Sequence, residues 1–348
     1  MTLDQSIARY TPDLEEELLA AFPSGGAGSL PETGPLYGML KYHLGWLDRD
    51  QKPTSGHGGK RIRPLLCLLS CEACGADYRL ALSAAAALEL VHNFTLIHDD
   101  IQDRSSQRRH RPTVWALWGD AQAINVGDAL YSIACLGLFR SVARGVRSDV
   151  VLVAAEILHG ALLSICEGQY LDISFERSDD VTGEMYLAMI ARKTAELIGC
   201  SAQLGAYLAT EDLAVSIQYR DFGRALGMAF QMQDDVLGIW GHPAVTGKPV
   251  GDDIYQHKKT LPVLHALEKA SVKDKRNLER IFVQGEATSE DVEAATEILT
   301  RLGAKEFTEK SAQNWLDQAL ATLESAAPGQ PAGSAMRQLA LSLTGRSS

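Results

Sequence analysis

The 348-residue chain has few cysteines, no excess of positive charge and no long unbroken apolar run, and each absence argues against a class of protein. Its 33 Lys and Arg against 44 Asp and Glu give a net charge of −11. That balance argues against duplex nucleic acid or an anionic membrane as the main partner, because both favour a basic surface. No unbroken apolar run reaches about 18 residues, so we predict no integral membrane segment. The acidic start, MTLDQSIARYTPDLEEELL, is unlike a signal peptide, and a cytoplasmic protein is expected.

The six cysteines are too few for a disulfide framework in a chain of this length, which favours a reducing compartment. Cys67, Cys71 and Cys74 have a spacing that would suit three corners of an iron–sulfur cluster. They lie within the apolar run PLLCLLSCEACGA, where positions i, i+4 and i+7 share one face of a helix. We therefore interpret them as buried structural thiols.

The chain shows neither strand-like alternation nor a fixed-period repeat, and helical patterns dominate it. Long segments rich in Ala and Leu cover residues 80–98, 150–175 and 219–240. Breaks rich in Gly and Pro separate such segments, but none resembles a long interdomain linker. The pattern predicts a single all-α domain over residues 1–348.

Two acidic groups follow apolar helical runs. In the first, Asp99 and Asp103 are one helical turn apart with Asp100 beside them, and Arg108 and Arg109 follow closely. Three acids on one turn repel each other unless a cation binds them, and hard oxygen ligands suit Mg²⁺, which commonly bridges to a substrate phosphate. A solvated acidic helix end would explain the acids but not the arginines behind them.

The second acidic group, Asp234 and Asp235, lies far downstream, and the two groups together would be able to clamp metal ions. Further cations are collected at a few places in an otherwise acidic chain, as expected for the lining of a polyanion pocket. These cations are Lys60, Arg61, Arg63, Lys193, Lys248, Lys258 and Lys259.

The order of these motifs resembles that of the trans-isoprenyl diphosphate synthases, the polyprenyl synthetase family, over residues 35–265. The pieces that carry the resemblance are GGKRIRP, LVHNFTLIHDDIQD followed by RR and RPT, GDAL, GQYLD, RKTAELI, FQMQDD and GKPVGDDIYQHKKTLPV. The resemblance implies the isoprenoid synthase fold, a single large helical bundle around a central cavity. It also implies a prenyltransferase that condenses isopentenyl diphosphate with an allylic diphosphate (dimethylallyl, geranyl or farnesyl), with Mg²⁺, three ions when substrate is bound, and a homodimer.

The resemblance also assigns roles to residues of this sequence. Metal binding falls to Asp99, Asp103 and Asp234, with Asp100 in support, and Asp99, Asp103, Asp234 and Lys193 are the residues expected to be catalytic. Isopentenyl diphosphate is expected at Lys60, Arg63, His92 and Arg109. The allylic diphosphate is expected at Arg108, Lys193, Thr194, Gln231 and Lys248, with Lys258 nearby.

Two positions bear on how this sequence differs within the family. The second acidic motif, DDxxD in many members, ends here in Gly238, and Asp252 and Asp253 are the acids nearby in sequence. In the family, a bulky residue five positions before the first aspartate limits product length, and Phe94 occupies that position, followed by the small Thr95. This combination resembles synthases that make the 20-carbon geranylgeranyl diphosphate. A helical wheel does not itself direct Phe94 towards the Asp99 face, so an ordinary core aromatic is the other interpretation.

Two other functions are compatible with a related fold. A class I terpene cyclase ionises one diphosphate and would have little use for the cations at Lys60, Arg63 and Arg109. A catalytically silent partner subunit of a prenyl synthase would be expected to have lost Asp99, Asp103 or the arginine pair, and none is lost here. Motif completeness favours the chain-elongating enzyme.

Overall fold

A computed structural model describes residues 2–23, 30–54, 59–176, 178, 180–243, 250–283 and 287–345. The predicted all-α class is confirmed, since the described residues are helical almost throughout and contain one sheet of two short strands. The chain divides into two compact units: Met1–Leu158 with Ser201–Ser216 and Pro328–Met336, and His159–Cys200 with Ile217–Ala327 and Arg337–Ser348. The expectation of a single domain over 1–348 stays a prediction.

The α-helices in chain order are α1 Leu3–Ala21, α2 Gly34–His43, α3 Ile62–Ala73, α4 Leu82–Gln102, α5 Val114–Trp118, α6 Asp120–Phe139, α7 Ser148–Glu176, α8 Gly183–Ile190, α9 Glu196–Thr210, α10 Leu213–Trp240, α11 Asp252–Tyr255, α12 Leu261–Lys269, α13 Val272–Val283, α14 Ser289–Arg301, α15 Ala304–Ser325 and α16 Ala332–Thr344. Short 3₁₀ turns cover Pro31–Thr33, Tyr78–Ala81 and Arg140–Arg144, a π-helical turn covers Ala191–Ala195, and the strands are β1 Gln107–Arg108 and β2 Arg111–Pro112.

Helix α4 shows how composition places the first acidic group. Every residue from Leu82 to Val91 is buried, and its small alanines allow α3 and α6 to pack closely on different faces. Beyond Ile97 the helix becomes more polar, and it ends at Asp103, whose backbone N–H donates to the carbonyl of Asp99 at 2.8 Å. The acids therefore lie at the C-terminal end of a helix anchored by its apolar half.

The cysteines of the Cys67–Cys74 run lie on and just after α3. Cys67 and Cys71 are buried on α3, and Cys74 lies at the C-terminal cap of that helix. No disulfide forms within the described residues, which include all six cysteines. Cys67 and Cys71 therefore fit the interpretation as buried thiols on one helix face, whereas Cys74 is half-buried at the cap.

Three helical stretches are long and apolar enough to cross a membrane, judged by length and composition alone: Tyr78–Gln102, Asp120–Arg144 and Ser148–Glu176. The absence of an unbroken apolar run in the sequence therefore does not exclude a span, because isolated polar residues interrupt these helices without lowering their mean hydropathy below the range of a span. In the first stretch, 72% of the most apolar window is buried inside the protein, so packing accounts for its hydropathy.

Candidate functional site

In the first unit, the three acids at the end of α4 have different surroundings. Asp99 is half-buried and Asp103 is exposed, whereas Asp100 is 2% exposed. The Arg108 Nε donates to Asp100 Oδ1 at 2.8 Å. Burial raises the pKa of Asp100 to about 6, against the opposing effect of the Arg108 guanidinium. Asp100 thus holds Arg108, while Asp99 and Asp103 lie at the more exposed end of the helix.

Arg108 is presented by a β-hairpin that the sequence did not predict. Arg108 pairs with Arg111 across the two strands, and the turn residues Arg109 and His110 have φ values of 51° and 60°. Two positive φ values are typical of a type I′ turn, usually built from Asn and Gly, and cost about 1–2 kcal/mol per residue otherwise. Arg111 holds the hairpin in place by donating to the carbonyl of Leu47 at 2.8 Å and by stacking 4.1 Å from the ring centroid of Tyr42. Strain of this kind is concentrated at functional sites.

A second cationic set lies behind this hairpin, also in the first unit. Arg63 is half-buried, its Nε is buried without a hydrogen-bond partner among the described residues, and burial lowers the pKa of the guanidinium to about 10. Gly59 has a φ of 77°, and a Cβ there would lie 2.6 Å from Arg109 Nη2, so the guanidinium fills the space beside the glycine. Burial and the nearby Arg63, Arg109 and Arg108 hold the pKa of His92 well below its usual range, so His92 is neutral. Lys60 is exposed at the edge of this set.

The buried counter-charge for these cations is Glu89, which sequence reasoning missed. It is 3% exposed, and the Asn93 amide donates to its Oε1 at 3.0 Å. Burial raises the pKa of Glu89, while the neighbouring Arg61 and Arg63 oppose that shift. The signal in the sequence was a lone acid in an Ala- and Leu-rich run, one turn before His92 on the same helix face.

The two residues expected to affect product length occupy different environments. The Phe94 ring is half-buried. Its centroid lies 5.4 Å from the ring centroid of His98, on the same helix, and 5.4 Å from that of Tyr131 on α6. The Thr95 hydroxyl donates to the carbonyl of His92 at 2.8 Å. Phe94 is therefore packed between α4 and α6, and its role in product length stays a prediction.

In the second unit, Lys193 and Thr194 lie on the π-helical turn Ala191–Ala195 between α8 and α9. Lys193 Nζ lies 2.5 Å from Asp172 Oδ2 of α7, and a Cβ on Gly168 would lie 2.7 Å from the Lys193 Cα. Gly168 is thus required for the close approach of α7 to this turn. Single π turns inside helices are frequently found at functional sites.

Thr194 begins a hydrogen-bonded chain that ends on a buried acid. The Thr194 hydroxyl donates to Gln231 Oε1 at 2.8 Å, and Gln231 Nε2 donates to Asp235 Oδ1 at 3.0 Å. The Tyr186 hydroxyl donates to Asp235 Oδ2 at 2.7 Å. Asp235 is 1% exposed, and burial raises its pKa to about 7. The sequence predicted neither Tyr186 as a site residue nor Asp235 as the buried acceptor that positions Gln231, because only the tertiary structure brings Tyr186 to α10.

The second acidic motif repeats the division seen in the first. Asp234 is exposed, whereas its neighbour Asp235 is buried and hydrogen-bonded within the protein. At Gly238, where many family members carry a third acid, an added Cβ would lie 2.5 Å from the Asp253 Cγ. The Asp253 carboxyl therefore occupies the room that a side chain at position 238 would need.

The remaining predicted contacts are only partly visible. Lys258 is half-buried just beyond α11. The neighbouring Lys259 has a structural role, since its Nζ donates to the backbone carbonyls of Phe175 and Ser178. Lys248 lies outside the described residues.

The donor chemistry of the exposed acids suits magnesium. Within the described residues, no group of three or more His, Cys, Asp or Glu side chains is arranged to hold a metal ion by itself. Mg²⁺ is usually bound through one or two carboxylates, with waters and substrate phosphates completing its shell. The exposed or half-buried Asp99, Asp103 and Asp234 fit that requirement, whereas the protein-bonded Asp100 and Asp235 fit a supporting role.

Comparison with known proteins agrees with these residues. The family model described as polyprenyl synthetase matches residues 46–299. The geranylgeranyl diphosphate synthase of Mycobacterium tuberculosis is 41% identical over 293 residues, which cover 84% of this chain and 82% of that protein. A (2E,6E)-farnesyl diphosphate synthase of the same species is 46% identical over 225 residues, which cover 65% of this chain and 61% of that protein.

Solved structures are similar along nearly the whole chain. A polyprenyl synthetase from Streptomyces coelicolor A3(2) has a TM-score of 0.86 at 34% identity, covering 98% of both chains. The geranylgeranyl pyrophosphate synthase of Corynebacterium glutamicum, solved with isoprenyl diphosphate and magnesium, has a TM-score of 0.84 at 28% identity, covering 99% of both. These likenesses confirm the expected isoprenoid synthase fold. The chain belongs to the polyprenyl synthetase family and is a trans-prenyltransferase that elongates isoprenyl diphosphates.

Proposed function

We propose that this chain is a magnesium-dependent geranylgeranyl diphosphate synthase that adds isopentenyl diphosphate to an allylic diphosphate. The observation that carries the proposal is the presence of two separate anion-binding sets in the first unit. One combines Asp99 and Asp103 with Arg108, which suits a diphosphate bound through metal ions. The other combines Arg63, Arg109 and His92, which suits a second diphosphate bound by direct hydrogen bonds.

The reaction begins with ionisation of the allylic C–O bond, and the leaving diphosphate needs its developing charge neutralised. Magnesium held by Asp99, Asp103 and Asp234, as three ions with substrate bound, would supply most of that charge. Arg108, kept in position by Asp100, adds a fixed cation to the same diphosphate. Lys193, Thr194 and Gln231 are assigned to the allylic diphosphate on the family pattern, with Lys248 and Lys258.

Isopentenyl diphosphate is assigned to Lys60, Arg63, His92 and Arg109. The His92 imidazole supplies an N–H donor for the phosphate. The alkene of this substrate attacks the allylic cation, and the proton released in forming the new double bond leaves to the departing diphosphate. No Ser or Cys nucleophile is needed for these steps.

The 20-carbon product is favoured by Phe94 and Thr95 and by the similarity to the M. tuberculosis geranylgeranyl diphosphate synthase over most of both chains. We further propose a homodimer and a cytoplasmic location, both on family grounds. A terpene cyclase is disfavoured by the second cationic set, and a silent subunit is disfavoured by the presence of every acid assigned to metal.

The proposal is tested in three separate reactions, each containing the enzyme, Mg²⁺, labelled isopentenyl diphosphate and one allylic primer. The primers are dimethylallyl, geranyl and farnesyl diphosphate, and the chain length of each product is measured. A 20-carbon diphosphate from each primer is expected. Cyclised hydrocarbon without uptake of label indicates the cyclase, and no product without a partner protein indicates the silent subunit.

The assignment of the two sets to two substrates has its own test. Arg63→Ala and Arg109→Ala are expected to raise the KM for isopentenyl diphosphate about ten-fold or more, with a smaller effect on the allylic KM. If only the allylic KM moves, the assignment of the second set is wrong.

A further inference from the structure

Helix α1 reaches the cationic set through one ion pair. The Arg61 guanidinium pairs with the Glu15 carboxylate of α1, and the two side chains are 15% and 39% exposed. Arg61 lies directly after Lys60 and two residues before Arg63, both assigned above to isopentenyl diphosphate. Glu15 itself lies outside residues 46–299, the part of the chain that matches the family model.

The backbone on either side of Lys60 is held in an uncommon conformation. Gly59 has a φ of 77° and Arg61 a φ of 46°, so the lysine stands between two left-handed residues. For a residue with a Cβ, such as Arg61, this conformation costs about 1–2 kcal/mol and persists only where neighbouring contacts impose it. Arg109 packs against Gly59 on one side of Lys60, and on the other side the Arg61 side chain pairs with Glu15.

Helix α1, which carries Glu15, is itself anchored by polar contacts. The buried Glu17, two residues after Glu15 on the same helix, accepts hydrogen bonds from Arg140, Arg144 and Ser83. A small cavity of about 180 Å³ lies directly between α1 and the start of α3, lined by residues that include Tyr10, Leu14, Lys60 and Leu65. Among the described residues, the lining comes from α1, residues 59–61 and α3, so α1 faces the Lys60 segment.

Resting on the proposed function, we propose that Glu15 is a positioning residue for the isopentenyl diphosphate subsite. By pairing with Arg61, Glu15 fixes the backbone conformation of residues 59–61, which positions Lys60 and leads into the first turn of α3, where Arg63 lies. Charge alone argues in the opposite direction, since removing a carboxylate makes the surroundings more positive and would tighten binding of a diphosphate. The sign of the effect therefore separates positioning from simple electrostatics.

The test is steady-state kinetics of Glu15→Ala, with Glu16→Ala as the matched control, because Glu16 is an exposed acid on the same helix. Glu15→Ala is expected to raise the KM for isopentenyl diphosphate about three- to ten-fold, with kcat and the allylic KM within about two-fold of wild type. Glu15→Gln, which keeps the size and polarity of the side chain but removes its charge, is expected to be intermediate and serves as the folded variant if Glu15→Ala is unstable. Glu16→Ala is expected to match wild type.

A double-mutant cycle makes the test specific to the ion pair. Arg61→Ala and Glu15→Ala act through the same contact, so the double variant is expected to be no worse than the more impaired single variant. An unchanged or lowered KM in Glu15→Ala, equal changes in both KM values, or additive effects would overturn the inference. Arg63→Ala and Arg109→Ala separate the two levels: if they leave the isopentenyl diphosphate KM unchanged, the proposed subsite itself fails, and if they raise it while Glu15→Ala does not, only this inference fails.

Discussion

Substitution at Gly238 tests how this chain manages without the third acid of its second motif. A Cβ at this position would lie 2.5 Å from the Asp253 Cγ, closer than side chains approach each other. Gly238→Ala gains about 1 kcal/mol in helix propensity but adds an overpacking cost of about 1–3 kcal/mol, since the Asp253 carboxyl has to move. Gly160 provides the control, because it lies on α7 and a Cβ there meets nothing within 4 Å.

Urea unfolding in EDTA gives the free-energy difference directly. Gly160→Ala is expected to be stabilising by about 0.5–1 kcal/mol, and Gly238→Ala is expected to be less stable than that control by about 1–3 kcal/mol. Gly238→Asp, which restores the family motif, is expected to be worse still because it places two carboxylates together. Adding Asp253→Gly to Gly238→Asp removes both the overlap and the repulsion, so the double variant is expected to recover stability.

Enzyme activity should follow the same order if the Asp253 carboxyl serves in place of the missing acid. The single Gly238→Asp variant is then expected to need more Mg²⁺ for half-maximal turnover, and the double variant to return towards wild type. Equal stability of the two alanine variants, or a Gly238→Asp enzyme that is as stable and active as wild type, would refute the reasoning.

Three further predictions follow from single contacts. Tyr186→Phe is expected to lower the free energy of unfolding by about 1–3 kcal/mol, with the exposed Tyr170→Phe as the control. The loss is expected to be larger at about pH 8.5 than at about pH 5.5 in EDTA, because the Tyr186 hydrogen bond stabilises the ionised form of Asp235, whose pKa is raised to about 7. Burial and the nearby arginines lower the pKa of His43 to about 3, so folding loses stability as pH falls below about 6.5, where the unfolded chain takes up a proton and the folded one does not. His43→Asn is expected to reduce the pH dependence of the free energy of unfolding by about 1.4 kcal/mol per pH unit between about pH 6 and 4.5. Phe94→Ala is expected to shift the products beyond 20 carbons with initial turnover largely retained, and an unchanged product distribution in a folded enzyme would leave Phe94 as an ordinary core aromatic.

Local chemistry explains what could be predicted from the sequence. Ala- and Leu-rich periodicity was sufficient for the all-α class, and the spacing of Asp99 and Asp103 was sufficient to place both acids on one helix face. The same periodicity assigned Cys67 and Cys71 to a helix face. These inferences depend on residues within a few turns of each other, where sequence spacing fixes spatial arrangement.

What the sequence did not reveal depends on tertiary contacts or on strain. The hairpin at Arg109 and His110 lacks the Asn and Gly that normally identify a type I′ turn. Tyr186 and Asp235 are 49 positions apart, and the match between Gly238 and Asp253 exists only because α10 and α11 pack together. The different tasks of Asp99 and Asp100 follow from burial, which adjacent positions in a sequence do not disclose.

Asp99 and Asp103, at the C-terminal end of α4, are proposed to hold the magnesium that promotes ionisation of the allylic substrate. The most direct measurement is incorporation of labelled isopentenyl diphosphate into product by wild type, Asp99→Ala and Asp103→Ala at saturating Mg²⁺, with circular dichroism on each protein. An unchanged helical spectrum and a loss of turnover of about 100-fold or more are expected in both variants. Near-normal turnover in either variant would contradict this assignment.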